Sequence, residues 1–197
     1  MFTERRKNRF GERPNELLVR CLRRNDFTEW NEWRDDNDNS LISLRGARLS
    51  NANLVDTDLS RVDLKAADLK NTNLAGADLS EANLIGADLS HANLLGANLW
   101  KANLTSANLR QANLKSAQLV MVNLENAELV KINLESADLW KANLKGAKLI
   151  SVTADRRTFI WGCKFDEQTV FRGKSLGIAR IEPCLVEHMK SGCRASA

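Results

Sequence analysis

The stretch Ala77-Asp78-Leu79-Ser80-Glu81-Ala82-Asn83-Leu84-Ile85-Gly86-Ala87-Asp88-Leu89 holds three copies of one small unit, Ala-(Asp/Asn)-Leu, with two free positions after each Leu. Followed in both directions, the unit keeps its register. Leu stands at every fifth position from Leu44 to Leu149, through 22 consecutive pentapeptides. Two residues before it, 16 of the 22 positions are Ala, and the others, Ile42, Thr57, Val62, Thr72, Val122 and Ile132, are all β-branched. One residue before it, 17 of 22 are Asn or Asp. A repeat this long has to be settled before any helix or strand is assigned.

A period of five suits neither regular element. On an α-helix five residues turn through about 500°, so the Leu would spiral round the axis and form no stripe. On a strand an odd period sends successive Leu to opposite faces. Every Leu stays inside only if the chain turns a corner once per pentapeptide and winds into a coil. The Leu and the small residue two before it then point inward, and the other three positions point out.

The A-(D/N)-L-x-x signature, as in Ala77-Asp78-Leu79 and Ala102-Asn103-Leu104, resembles the pentapeptide-repeat family over about 110 of 197 residues. The resemblance implies an all-β solenoid, a right-handed quadrilateral β-helix with four pentapeptides per coil. Twenty-two units would make about five and a half coils, a rod of roughly 26 Å at about 4.8 Å per layer. Sorting the inward position by a period of twenty gives the column Ala47, Ala67, Ala87, Ala107, Ala127, Ala147 without variation. The column Ile42, Val62, Ala82, Ala102, Val122, Ala142 collects three of the larger residues, as distinguishable sides of a square coil would. Each buried Leu contributes about 1.5–3 kcal/mol before chain entropy is set against it. The Asn and Asp are read as structural, bonding neighbouring backbone at the turns.

The ends of a solenoid expose core and unpaired strand edges, and they need covers. Residues 1–40 read as a helical N-terminal cap with a basic leader (Arg5, Arg6, Lys7, Arg9, Arg13), 41–151 as the β-helix, and 152–197 as a C-terminal cap and tail. Asn15 to Arg24 places Leu17, Leu18, Cys21 and Leu22 on one helical face. Asp26-x-x-Glu29 resembles a capping box opening a second helix, which presents Phe27, Trp30 and Trp33 to the first coil. Trp30-Asn31-Glu32-Trp33-Arg34 resembles a leader that precedes the repeats in many bacterial members of the family. Phe159 falls on a repeat position, and Phe159, Trp161, Phe165 and Phe171 are expected to close the far end as a distorted final coil or short strands. Leu185, Val186 and Met189 fit one short amphipathic helix.

Composition supplies little for chemistry. The chain has 197 residues, 22.1 kDa, 43% hydrophobic and 27% charged side chains, and a formal net charge of +4. No apolar run approaches the roughly 18 residues of a membrane span, and no secretory signal is visible, so a cytoplasmic protein with reduced thiols is expected. Cys21, Cys163, Cys184 and Cys193 form no CxxC pair, and with His188 they match no zinc pattern. His91 and the repeat glycines fall at corners. No nucleophile–base pair, metal site or cofactor site is found, and an enzyme is not expected.

Residues 41–151 carry twelve basic and eleven acidic side chains, so the rod is nearly neutral. Some pentapeptide-repeat proteins protect DNA gyrase, and that resemblance raises a duplex-mimic alternative, a regulator of a nucleic-acid enzyme. A polyanion mimic needs a strongly negative face, which this rod lacks. The feature that stands out is apolar. In one twenty-residue column the residue after Leu reads Ser60, Ser80, Trp100, Val120, Trp140, with Met121, Lys101 and Lys141 beside it. Such a stripe reads as an interaction patch for another protein or a second copy. The competing reading is a bed for the chain's own C-terminal segment. The expected role is a non-catalytic scaffold or adaptor, with neither nucleic acid nor membrane as partner.

Overall fold

A computed structural model describes residues 13–37 and 42–172 and the backbone of 180–181. The basic leader before Arg13 and the segment carrying Cys184, Leu185, Val186, His188, Met189 and Cys193 lie outside the described residues.

From residue 42 onward the chain is a parallel solenoid whose layers are twenty residues apart. Ser43 bridges Asp63, Arg48 bridges Asp68, and the same step repeats through Asn133 with Thr153. Each side of a coil is only three residues long, so most sides hold a single ladder bridge. Full strands are β1 (Glu128–Val130), β2 (Lys148–Ile150), β3 (Phe159–Ile160), β4 (Val170–Arg172) and β5 (Arg180–Ile181). They pair in parallel as β1-β2-β4 and β3-β5.

One local solution is reused at nearly every corner. The Ala47 amide donates to the Leu44 carbonyl, closing a four-residue turn, and the Gly46 amide reaches up to the Lys65 carbonyl of the next coil. The third residue of each turn has positive φ, which is the type II geometry. Glycine fits it at Gly46 and Gly86, but His91, Lys101 and Met121 adopt it as well, with φ of 54–60°. The coil's hydrogen bonds overrule their intrinsic preference. Inside, the Leu at every fifth position from Leu44 to Leu149 is buried, as is nearly every residue two before it.

The Asn and Asp make two kinds of bond, which explains their different places. The Oδ1 of Asn98 accepts the Trp100 amide two residues on, an Asx turn that either residue can make. The Nδ2 of Asn98 also donates to Asp78 in the coil before, as Asn83 does to Asp63 and Asn113 to Asn93. Only Asn can both accept and donate, so Asp serves best as the first rung.

Two helices precede the coil. In α1 (Pro14–Arg24) the amide of Arg13 donates to Glu16, and Leu17, Leu18 and Cys21 are buried. The capping box expected at Asp26-x-x-Glu29 does not form. Helix α2 begins at Thr28 (Thr28–Asp36), where Asp26 accepts from the Thr28 amide and hydroxyl. Glu29 turns away to pair with Arg20 at 2.6 Å. Phe27, Trp30 and Trp33 are buried, with Trp30 and Trp33 ring centroids 5.7 Å apart. The Trp30 indole donates to the Asp58 carbonyl at 2.6 Å.

Past Leu149 the ladder continues, but its step lengthens. Asp138 bridges Phe159 and Asn143 bridges Lys164, 21 residues on, and Leu149 pairs with Phe171, 22 residues on. Phe159 therefore does not take the central position expected of it. One residue has been inserted, and Ile160 is buried there instead. Each insertion is a turn of the form Asp-x-x-Thr. Thr158 and Thr169 donate their hydroxyls to the carbonyls of Leu134 and Leu144 in the coil below. Asp155 and Asp166 accept the amides of Ser136 and Gly146, taking over from a main-chain carbonyl that the longer turn displaces. Phe171 is buried, Phe165 partly so, and Cys163 donates its thiol to Leu139 as the threonines do.

Candidate interaction surface

Trp100, Val120 and Trp140 stand at one corner of successive coils, and their main chains are joined by the ladder. The Lys101 amide donates to the Val120 carbonyl, and the Met121 amide to the Trp140 carbonyl. Trp100 and Trp140 are each 37% exposed and Met121 41%. Nothing among the described residues covers them.

The same column takes in a residue that sequence spacing assigned to the C-terminal cap. The Lys141 amide donates to the Trp161 carbonyl, so Trp161 follows Trp140 after a step of 21. Its indole is 44% exposed, with the Phe159 ring 6.5 Å away and nearly parallel. Trp161 extends the stripe. A period-twenty search misses it because of the single insertion, and the signal that could have placed it is the recurrence of Asp-x-x-Thr at 155–158 and 166–169.

Lys101 and Lys141 lean back over their neighbours, each Nζ 4.1 Å from the centroid of the preceding indole. That is cation–π range. Round the coil each tryptophan stands between the residue two before it, Asn98 for Trp100 and Asp138 for Trp140, and the lysine that follows it, while one coil before Trp100 the same three places hold Asp78, Ser80 and Glu81. At the N-terminal end of the stripe a hollow of about 420 Å³ opens between α2 and Trp100, lined by Asp35, Asp58, Asp78 and Glu81 with Arg61 among them.

The remaining candidates for chemistry stay apart. No three His, Cys, Asp or Glu among the described residues are grouped to hold a metal ion. His91 is exposed at its corner. Burial pushes the Cys21 thiol above its ordinary range, which makes it a core residue and a poor nucleophile. No helix among the described residues is long and apolar enough to cross a membrane.

A model of the pentapeptide repeats, eight copies long, matches residues 42–81, 82–119, 92–129 and 117–153, together more than half of the chain. The chain belongs to the pentapeptide-repeat family. Membership brings the right-handed β-helix type of solenoid with it. Among solved structures it is similar to a pentapeptide-repeat protein of the Arabidopsis thaliana thylakoid lumen. Identity there is 33% over 47% of this chain and 64% of that one, so under two thirds of the plant chain is spanned, with a TM-score of 0.46. HetL, a pentapeptide-repeat protein involved in heterocyst differentiation regulation in the cyanobacterium Nostoc sp. strain PCC 7120, is 30% identical over 73% of this chain and 76% of its own, with a TM-score of 0.26. QnrB1, a plasmid-mediated fluoroquinolone resistance protein, is 23% identical over 64% of this chain and 78% of its own, with a TM-score of 0.41. No curated protein sequence matches the chain.

Proposed function

We propose that this pentapeptide-repeat protein is a non-catalytic scaffold that presents a rigid face to another protein. The observation that carries the proposal is the exposed column Trp100, Val120, Trp140 and Trp161, with Met121, Lys101 and Lys141 beside it. Aromatic side chains on a backbone that cannot rearrange form a contact surface with little ordering cost, and such residues dominate interface energetics. In this reading α1 and α2 cap the N-terminal end of about five and a half coils, using Phe27, Trp30 and Trp33. Residues 152–172 then end the rod at the other side through Ile160, Phe165 and Phe171. The leader-like Trp30-Asn31-Glu32-Trp33-Arg34 serves the cap, since Trp30, Asn31 and Arg34 all bond to the first coil.

The deciding variant is Trp100→Ser with Trp140→Ser. Association with partner proteins, measured as capture from a host lysate by wild type against variant, is expected to fall away while the melting temperature stays within a few degrees. Unchanged capture of the same proteins would overturn the reading. A regulator of a nucleic-acid enzyme is the alternative, and the balanced charge of the coil speaks against mimicry of a duplex. The protein is expected to leave gyrase supercoiling untouched; protection at sub-micromolar concentration would favour the alternative.

A further inference from the structure

Three features of the stripe bear on what can lie against it. The first is spacing. Its side chains recur once per coil, about 4.8 Å apart, whereas an extended peptide presents side chains on one face about every 6.7 Å. A strand laid along the column falls out of step within two layers. A second copy of the same coil has the same step and stays in register along the whole column. The second feature is charge. Asp78 and Asp138 stand on one side of the tryptophans, Lys101 and Lys141 on the other, and among the described residues no ion pair engages any of these four. The third is that the column is itself the symmetric element, one residue wide and aligned with the rod.

Two rods meeting corner to corner about a two-fold axis along the rod would run parallel, each residue of the column facing its own mate. That rotation exchanges left and right, so the lysine side of one copy faces the carboxylate side of the other. Lys141 then opposes Asp138 at the same level; Lys101 opposes Asn98, with Asp78 one layer away, and at the Ser80 level Asp78 opposes a Glu81 whose charge is already paired with Arg61 at 3.3 Å. A two-fold across the rod, which makes the copies antiparallel, would set lysine against lysine. From spacing, charge and symmetry together we infer that the stripe is a self-association surface, joining two copies side by side and parallel through Trp100, Val120, Trp140 and Trp161. This rests on the stripe being an interaction face and names its occupant.

Three indoles about two-fifths exposed leave on the order of 300 Å² of aromatic surface per copy, well under the ~800 Å² per partner of a standard interface. The dimer is therefore a weak, reversible one, and the experiment has to reach high concentration. Sedimentation equilibrium of the full chain from ~10 μM to ~1 mM is expected to show monomer passing to dimer, with association falling at least tenfold in Trp100→Ser/Trp140→Ser and weakening with added salt. For orientation, Ser80→Cys lies on the same column and faces its mate only if the rods are parallel. Mild oxidation of that variant should give, by mass spectrometry, a disulfide-linked peptide joining position 80 of one copy to position 80 of the other. Ser50→Cys, on the opposite corner, should give no such homotypic link. A wild-type chain that stays monomeric throughout, a dimer untouched by the double variant, or equal homotypic cross-linking in the two thiol variants overturns the inference. If the chain is monomeric and lysate capture still depends on the tryptophans, self-association fails while the scaffold reading stands.

Discussion

The guanidinium of Arg34, wholly buried beneath α2, donates from Nε to the carboxylate of Asp58 at 3.1 Å and from Nη2 to the carbonyl of Ser60 at 2.7 Å. One side chain of the helical segment is thus satisfied by the first coil, and its Nη1 already lacks a partner.

Removing Asp58 should accordingly cost more than its partly exposed position suggests. Asp58→Ala leaves a buried cation uncompensated, and a loss of about 2–4 kcal/mol is expected. Arg34→Met together with Asp58→Ala should lose less than Asp58→Ala alone. Chemical denaturation of the two variants beside the wild type measures the difference.

Ala107 belongs to a column in which every inward residue is Ala. Ala107→Phe overpacks it and should cost well over about 1 kcal/mol. Arg110→Ala, removing an exposed pair with Glu128 at 2.6 Å, should cost at most about 1 kcal/mol. Equal melting temperatures would contradict the assignment of inside and outside.

Two corner glycines separate conformational cost from steric cost. At Gly86, φ +64°, a Cβ meets nothing, and Gly86→Ala should cost about 1 kcal/mol from the left-handed backbone alone. At Gly76, φ +68°, the Cβ runs into Oδ1 of Asp56 in the coil before. Gly76→Ala should cost more, and the excess should vanish in an Asp56→Ala background. Thermal melts of the three variants check this.

The final coil carries an acid-sensitive element. Hydrogen bonding from the Ser136 amide, with lesser help from Thr158 and Arg157, holds the Asp155 carboxyl well below the usual carboxylate range, and the Gly146 amide lowers Asp166 in the same way. A carboxyl depressed in the fold stabilises it above the unfolded value of about 3.9 and loses that contribution as pH falls through the folded value. Proteolysis by an acid protease below pH ~3.5 should therefore cut near 155–172 before the central coils. Asp155→Asn should flatten that pH dependence.

What the sequence made legible follows from repetition. The coil from Leu44 to Leu149 could be read because the pentapeptide states its geometry 22 times. Trp100 and Trp140 could be placed on one corner by counting alone. Trp161 and Ile160 could not, since one inserted residue shifts everything after Ala154, and periodicity carries no information once the period changes. The start of α2 escapes a local reading for another reason. Asp26 and Glu29 match a capping box in spelling, but Arg20 claims the glutamate, and a pairing between two helices is invisible to spacing within one.

The twenty-residue step has a consequence for how such a protein can change length. A core made of identical layers accepts one additional pentapeptide anywhere between Trp100 and Trp140, since every Leu still points inward. The outer face does not accept it. Five residues rotate all later positions by one side of the square, carrying Trp140 a quarter-turn away from Trp100. The fold counts in fives and the surface counts in twenties, so an insertion silent to stability can erase the aromatic column. Only gains or losses of whole coils preserve both.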